Sequence, residues 1–225
     1  MGNYFRQMII FGGFLLCLAN VQAQFTHSDE SDPAAKKILK QIKDRFEQAD
    51  VFSVDFNMSI SFPGQEPMKQ EGNLIQQGGA FRLDMKDYLI ISNKSMRWVY
   101  MKQENTVNIY NALSDDSWMT PKDFLNIYDS PEFVYALMSS EVTGAKSEHW
   151  IEFKSLEPDS EYSKVRMVVN KETNEIKSIR AFSNDGSSYE LFIGDINYSA
   201  TVNQSTFQFD RKNHPGVIVE DLRID

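Results

Sequence analysis

The sequence predicts a mainly β protein with helices (α+β): an incomplete antiparallel β-barrel plugged by an N-terminal helix and a central helical lid. Three observations predict it. The stretch from Phe52 to Phe62 alternates apolar and polar residues at period two, a series of similar segments follows on short polar or glycine-containing links, and two stretches switch to helical character. So many strands must hide an apolar face and manage their edges. A barrel left open and filled by helices does both.

The first helix is signalled by Asp32 as cap with Pro33 at the first helical position, and Ile38, Leu39, Ile42, Phe46 and Ala49 recur at three- and four-residue spacing to about Gln48. From Val51 the period becomes two. Phe52, Val54, Phe56, Met58, Ile60 and Phe62 fall on one face, and Ser53, Asp55, Asn57, Ser59 and Ser61 on the other, as in a strand with one wet side. Pro63-Gly64 turns into Met68 to Gln77. Gly78-Gly79 turns again into Phe81, Leu83 and Met85, which alternate with Arg82, Asp84 and Lys86. Tyr88 to Ser92, Met96 to Met101 and Thr106 to Ala112 continue the meander.

The central interruption is Trp118 to Met138. Thr120 can cap a helix with Pro121 at its first position and Asp123 three residues on; Ser130 and Pro131 repeat the signal, so the spacing predicts two short helices broken at Asp129-Ser130. Almost no polar face is left by Phe124, Leu125, Ile127, Tyr128, Phe133, Val134, Tyr135, Leu137 and Met138, so these helices must be buried. Strands then resume at His149 to Ser155, Lys164 to Asn170, Glu175 to Phe182, Ser188 to Ile193 and Phe207 to Phe209, about ten in all.

The 225-residue chain is 41% hydrophobic, which supports one medium-sized core, and no repeat, low-complexity run or linker marks a second domain. Residues 1–23 read as a secretory signal, with Arg6 in a short n-region, an apolar run from Met8 to Ala19 and the small-residue motif Val21-Gln22-Ala23. A single mature domain, residues 24–225, is expected after cleavage behind Ala23. The apolar run is shorter than the roughly 20 residues that span a bilayer. Cys17 is the one cysteine and lies inside that run, preceded by Leu15-Leu16 rather than by the small residue of lipoprotein processing. The mature chain is therefore expected to lack disulfides, thiol catalysis and thiolate metal sites. A formal net charge of -9 argues against nucleic acid and anionic membrane surfaces as partners.

Nothing in the chain reads as a reaction centre. His27, His149 and His214 are too dispersed for a metal site, Asp115-Asp116 is a solvated pair, and Asp55 and Asp84 lie on polar faces. No Gly-x-Ser-x-Gly turn is present. We expect no enzyme activity, no cofactor and no metal. The residues that stand out are apolar: Phe52, Phe56, Met58, Ile60, Phe81, Leu83, Met85, Trp98, Tyr100, Ile109, Phe124, Leu125, Tyr128, Phe133 and Leu137 are candidates to line a hydrophobic cavity or its lid. Plain core packing suits each of them equally, and alternation leaves open which strand face lies inward.

In order and spacing the chain resembles the LolA family of periplasmic lipoprotein carriers, in the variety found in Bacteroidetes. The resemblance runs through the amphipathic helix and the Phe52 to Phe62 strand, Glu71-Gly72-Asn73-Leu74, Phe81-Arg82-Leu83, Ile91-Ser92 with Trp98-Val99-Tyr100, and Thr120-Pro121 with Phe124-Leu125. Leu156 with Pro158, Phe207-Gln208-Phe209-Asp210 and Pro215 to Arg223 complete it. It implies a half-closed barrel whose apolar cavity takes lipoprotein acyl chains, in a monomeric periplasmic chaperone. Such a carrier serves outer-membrane biogenesis: an inner-membrane lipoprotein-releasing ABC transporter is its donor, and an outer-membrane acceptor is a further candidate partner. The same fold could instead serve as a sensor or lipid-binding interaction protein of the cell envelope. Gln77-Gly78 stands where better-known members carry the Arg-Pro whose arginine fastens the lid, and Asn93-Lys94 where Asp-Gly is common.

Overall fold

The computed structural model describes residues 30–112, 129–139, 143–144 and 146–223. Among them one α-helix, α1 (Pro33–Gln48), lies against a single 12-stranded sheet. The strands are β1 (Val51–Ser61), β2 (Met68–Gln77), β3 (Ala80–Met85), β4 (Tyr88–Ser92), β5 (Met96–Met101), β6 (Thr106–Asn111), β7 (Phe133–Leu137), β8 (Glu148–Ser155), β9 (Tyr162–Asn170), β10 (Ile176–Ser183), β11 (Ser188–Asn197) and β12 (Ile218–Asp221). In space they run β12-β6-β5-β4-β3-β2-β1-β11-β10-β9-β8-β7. Two meanders therefore meet where β1 pairs with β11, and the sheet curls without closing.

Helix α1 begins and ends where its sequence dictates. Asp32 is in extended conformation and its carboxylate accepts from the Ala34 N–H at 2.7 Å, with Pro33 following at the first helical position. Its buried side is Ala35, Ile38, Leu39, Ile42 and Phe46. That stripe fills the concavity of the sheet, where Phe46 packs edge-on against Phe52 at 5.0 Å and Tyr198 at 5.6 Å. The Asp32 carboxylate has a second duty, accepting from the Leu137 N–H on β7 at 3.1 Å.

Two clusters divide the sheet between its faces. The concave cluster joins α1 to Phe52, Val54, Phe56, Leu74, Phe81, Ile90, Tyr135, Ile151, Phe153, Val165, Met167, Val169 and Ile179. The convex cluster covers one half only: Leu89, Ile91, Trp98, Tyr100 and Val107 pack against Phe207 and Val217 of the C-terminal segment. That segment is pinned by Asn105, which accepts from the Tyr100 hydroxyl at 2.9 Å and donates to the Pro215 carbonyl at 3.1 Å.

Three elements depart from the sequence expectations. Phe133–Leu137, predicted as a second lid helix behind Ser130-Pro131, is strand β7, paired with β8. The Ser130 hydroxyl does accept from the Glu132 N–H at 3.2 Å, but the turn it makes hands the chain to the sheet. Phe207–Phe209 is not a strand. Asn203 caps a 3-10 turn over Gln204–Phe207, its side chain accepting from the Ser205 and Thr206 N–H groups, and the Gln208 N–H donates back to the Ser205 carbonyl rather than to a neighbouring strand. β12 enters parallel to β6, so the sheet is not purely antiparallel. The first predicted lid helix, with Thr120, Pro121, Phe124, Leu125 and Tyr128, lies outside the described residues, as do residues 1–23.

Candidate functional site

Cross-strand partners share a face, so register decides which side chains line the concavity. From β7 to β1 one row reads Leu137, Ile151, Met167, Ile179, Leu191 and Met58 without a polar member. The next row holds Tyr135, Phe153, Val165, Ala181, Tyr189 and Ile60. Not all of this surface is sealed by α1. Met58, Leu83, Met85, Phe133, Leu137, Leu191 and Ile193 are only partly buried around the core.

The β2 to β6 half of the same face differs. One row there runs Gln76, Phe81, Ser92, Arg97 and Tyr110, and its neighbour Leu74, Leu83, Ile90, Val99 and Asn108. Gln76, Ser92 and Arg97 are all buried, and Arg97 donates to the Ala112 carbonyl at 3.2 Å. The concave face thus has an apolar half and a half studded with polar groups. No periodicity rule would have singled these residues out; Arg97 leaves a trace, since it shares its parity with Val99 and Met101, whereas Gln76 shares its parity with Gln70 and Gly72 as well as Leu74.

Of the residues singled out from sequence, Phe52, Phe56, Met58, Ile60, Phe81, Leu83, Met85, Phe133 and Leu137 share the concave face. Trp98, Tyr100 and Ile109 do not. Their partners are Ile91, Leu89 and Trp98 itself on the convex face, beneath the C-terminal segment, so they are removed from any concave cavity. Phe124, Leu125 and Tyr128 lie outside the described residues. Arg82 points outward as its alternation predicts and pairs with Asp84 at 3.4 Å. Asp55 and Asp84 sit on the same convex face, hydrogen-bonded by Asn73 at 2.8 Å and by Lys102 at 2.7 Å.

Perturbed titrations fall at structural contacts. Burial, the larger influence, raises the Tyr198 phenol above the ordinary tyrosine value, against the opposing charge of Arg45. The Lys177 ammonium beside Glu148, followed by the Trp150 indole N–H, holds that carboxyl below its usual range. Among the described residues no group of three or more His, Cys, Asp or Glu could hold a metal ion. No described helix is long and apolar enough to cross a membrane.

A helix laid into an open, curled, mostly antiparallel sheet, with apolar side chains left partly uncovered beside it, defines a class of fold that partly encloses an apolar concave surface. A solved structure with the same fold is an uncharacterized conserved protein from Thermus thermophilus, 9% identical, covering 84% of this chain and 99% of its own, with a TM-score of 0.53. A LolA superfamily protein from Nitrosomonas europaea aligns at 13% identity over 78% of this chain and 97% of its own, with a TM-score of 0.42. The lipoprotein LppX from Mycobacterium tuberculosis aligns at 12% identity over 77% and 100%, with a TM-score of 0.39. No curated protein sequence matches the chain. The family model described as outer membrane lipoprotein carrier protein LolA matches residues 47–210. The chain belongs to the LolA family.

Proposed function

We propose that this protein is a periplasmic carrier that shields the acyl chains of lipoproteins on its concave face and moves them from the inner towards the outer membrane. Residues 24–225 form the working domain after signal cleavage behind Ala23, and a lipoprotein-releasing transporter and an outer-membrane acceptor are the natural donor and receiver. The observation that carries this reading, beside the family match, is the partly buried apolar rim of Met58, Leu83, Met85, Phe133, Leu137 and Leu191 around α1. A monomeric globular protein gains by sealing such a rim; one that loads and unloads lipid needs it accessible. Burying an acyl chain yields about 0.8 kcal/mol per methylene, which is ample for a chain of ordinary length. Phe52, Phe56, Phe81 and Ile60 then belong to the wall behind the rim.

The test is native mass spectrometry of the protein purified from its own periplasm without detergent. Bound masses of diacyl or triacyl lipoproteins are expected. Bare protein that also ignores added lipopeptide would overturn the reading.

A further inference from the structure

We infer that the β2 to β6 half of the concave face is a recognition track for the amide-bearing head of an acylated peptide, and so discriminates lipopeptides from free lipid; this rests on the carrier reading above.

The chemistry begins with two orphaned acceptors. Among the described residues Gln76 Oε1 and Asn108 Oδ1 are buried without a hydrogen-bond donor. Gln76 is 4% exposed, and its Nε2 is already engaged with the Gly78 carbonyl at 3.1 Å. A buried acceptor left unmade is costly, and a core position on this parity is filled elsewhere by leucine, isoleucine or valine at no such cost. Between the two acceptors on the same face lie Ser92 and the 6% exposed Arg97. The track therefore offers acceptors at both ends, and between them lies the Arg97 guanidinium, which is engaged with the Ala112 carbonyl.

A free fatty acid or a diacylglycerol is rich in acceptor oxygens and poor in donors. An acylated peptide brings successive amide N–H groups together with ester and amide carbonyls. Only the second brings donors for both acceptors, which stand in adjacent rows of this face, Gln76 in the row of Ser92 and Arg97, and Asn108 in the row of Val99. Four strand spacings separate β2 from β6, about 19 Å along the sheet, and a glyceryl linker followed by about four or five extended residues covers that span at roughly 3.4 Å per residue. Acyl chains would then lie on the apolar rows of β7 to β1, and the head on the polar rows. Because these groups are buried, water does not compensate them, and cargo that supplies donors gains the difference.

The experiment uses the full mature chain and three probes in competition with a fluorescent fatty acid: palmitate, dipalmitoylglycerol and a synthetic diacylated lipopeptide. The unsubstituted protein is expected to prefer the lipopeptide over dipalmitoylglycerol by about tenfold, the scale of one or two neutral hydrogen bonds. Gln76→Leu and Asn108→Leu should each lower that preference roughly threefold, and the double substitution should erase most of it, while palmitate affinity stays unchanged. Proportional loss for all three probes would mean a structural role and overturn the inference. Equal binding of lipopeptide and dipalmitoylglycerol by the unsubstituted protein would also overturn it, with the carrier reading intact. Failure of the unsubstituted protein to bind any probe would sink both. Since either leucine removes an orphaned acceptor, folding should survive, and a thermal melt of each variant verifies that.

Discussion

The Phe56 ring lies over Gly72 so closely that a Cβ built on the glycine would come within 2.4 Å of the ring. The two residues are cross-strand partners on β1 and β2, and the aromatic covers the bare backbone of the glycine on the concave face. Glycine is needed there for space, not for a special backbone angle. Gly72→Ala must push the ring aside. A loss of about 1–3 kcal/mol in urea-monitored stability is expected, as for overpacked cores, together with altered affinity for an acyl probe. An unchanged stability would mean that the ring has another place to go.

Asp32 ties two elements with one carboxylate, capping α1 and holding the Leu137 amide of β7. Asp32→Ala should cost about 1–2 kcal/mol from the cap alone, and amide exchange at Leu137 should accelerate. Asp32→Asn keeps one acceptor oxygen for the cap and is expected to recover that part of the loss, while its NH2 group cannot accept from the Leu137 N–H and exchange there should stay fast.

Trp98 and Tyr100 provide a test of which face is which. Trp98→Ala should destabilise by about 3–5 kcal/mol through the cavity it leaves beneath the C-terminal segment, yet leave acyl-probe affinity of the folded protein unchanged. Leu191→Glu, on the apolar concave row, should weaken the probe strongly with a smaller effect on stability. The reverse pattern would refute the assignment of faces.

The Tyr100 hydroxyl, through Asn105, also secures the C-terminal segment. Tyr100→Phe is expected to cost about 1 kcal/mol and to raise hydrogen exchange around residues 215–219, with α1 unaffected.

Burial raises the Tyr198 ionisation in the folded protein above the ordinary value of 10.0, so the unfolded chain gives up this proton more readily. The resulting contribution to stability is fully present below the ordinary value and is lost as pH rises through the raised one. Tyr198→Phe has no proton there to lose. Its stability, measured by urea unfolding at a series of alkaline pH values, should fall less steeply above pH 10.0 than that of the unsubstituted protein. Parallel curves for the two proteins would show that Tyr198 ionises equally easily in both states.

Local chemistry along the chain settled whatever needed only near neighbours. The Asp32-Pro33 cap set the start of α1, the clean alternation of Phe52 to Phe62 set β1, and the turns at Gly64 and Gly78, both at positive φ, delimited β2. The family resemblance was also legible, because it rests on the order of such pieces. The rest was decided by distant parts of the chain coming together. Ser130-Pro131 is as good a start for a helix as for a turn, and only the free edge of β8 made Phe133–Leu137 a strand. Trp98 and Tyr100 alternate as cleanly as Phe52 and Phe56, but alternation fixes a period and not its sign. The sign comes from pairing with Ile91 and Leu89, which turns both rings to the convex face. For the same reason alternation does not mark Gln76 and Arg97: a polar residue becomes a buried one only when register places it among apolar neighbours and another part of the fold removes the water.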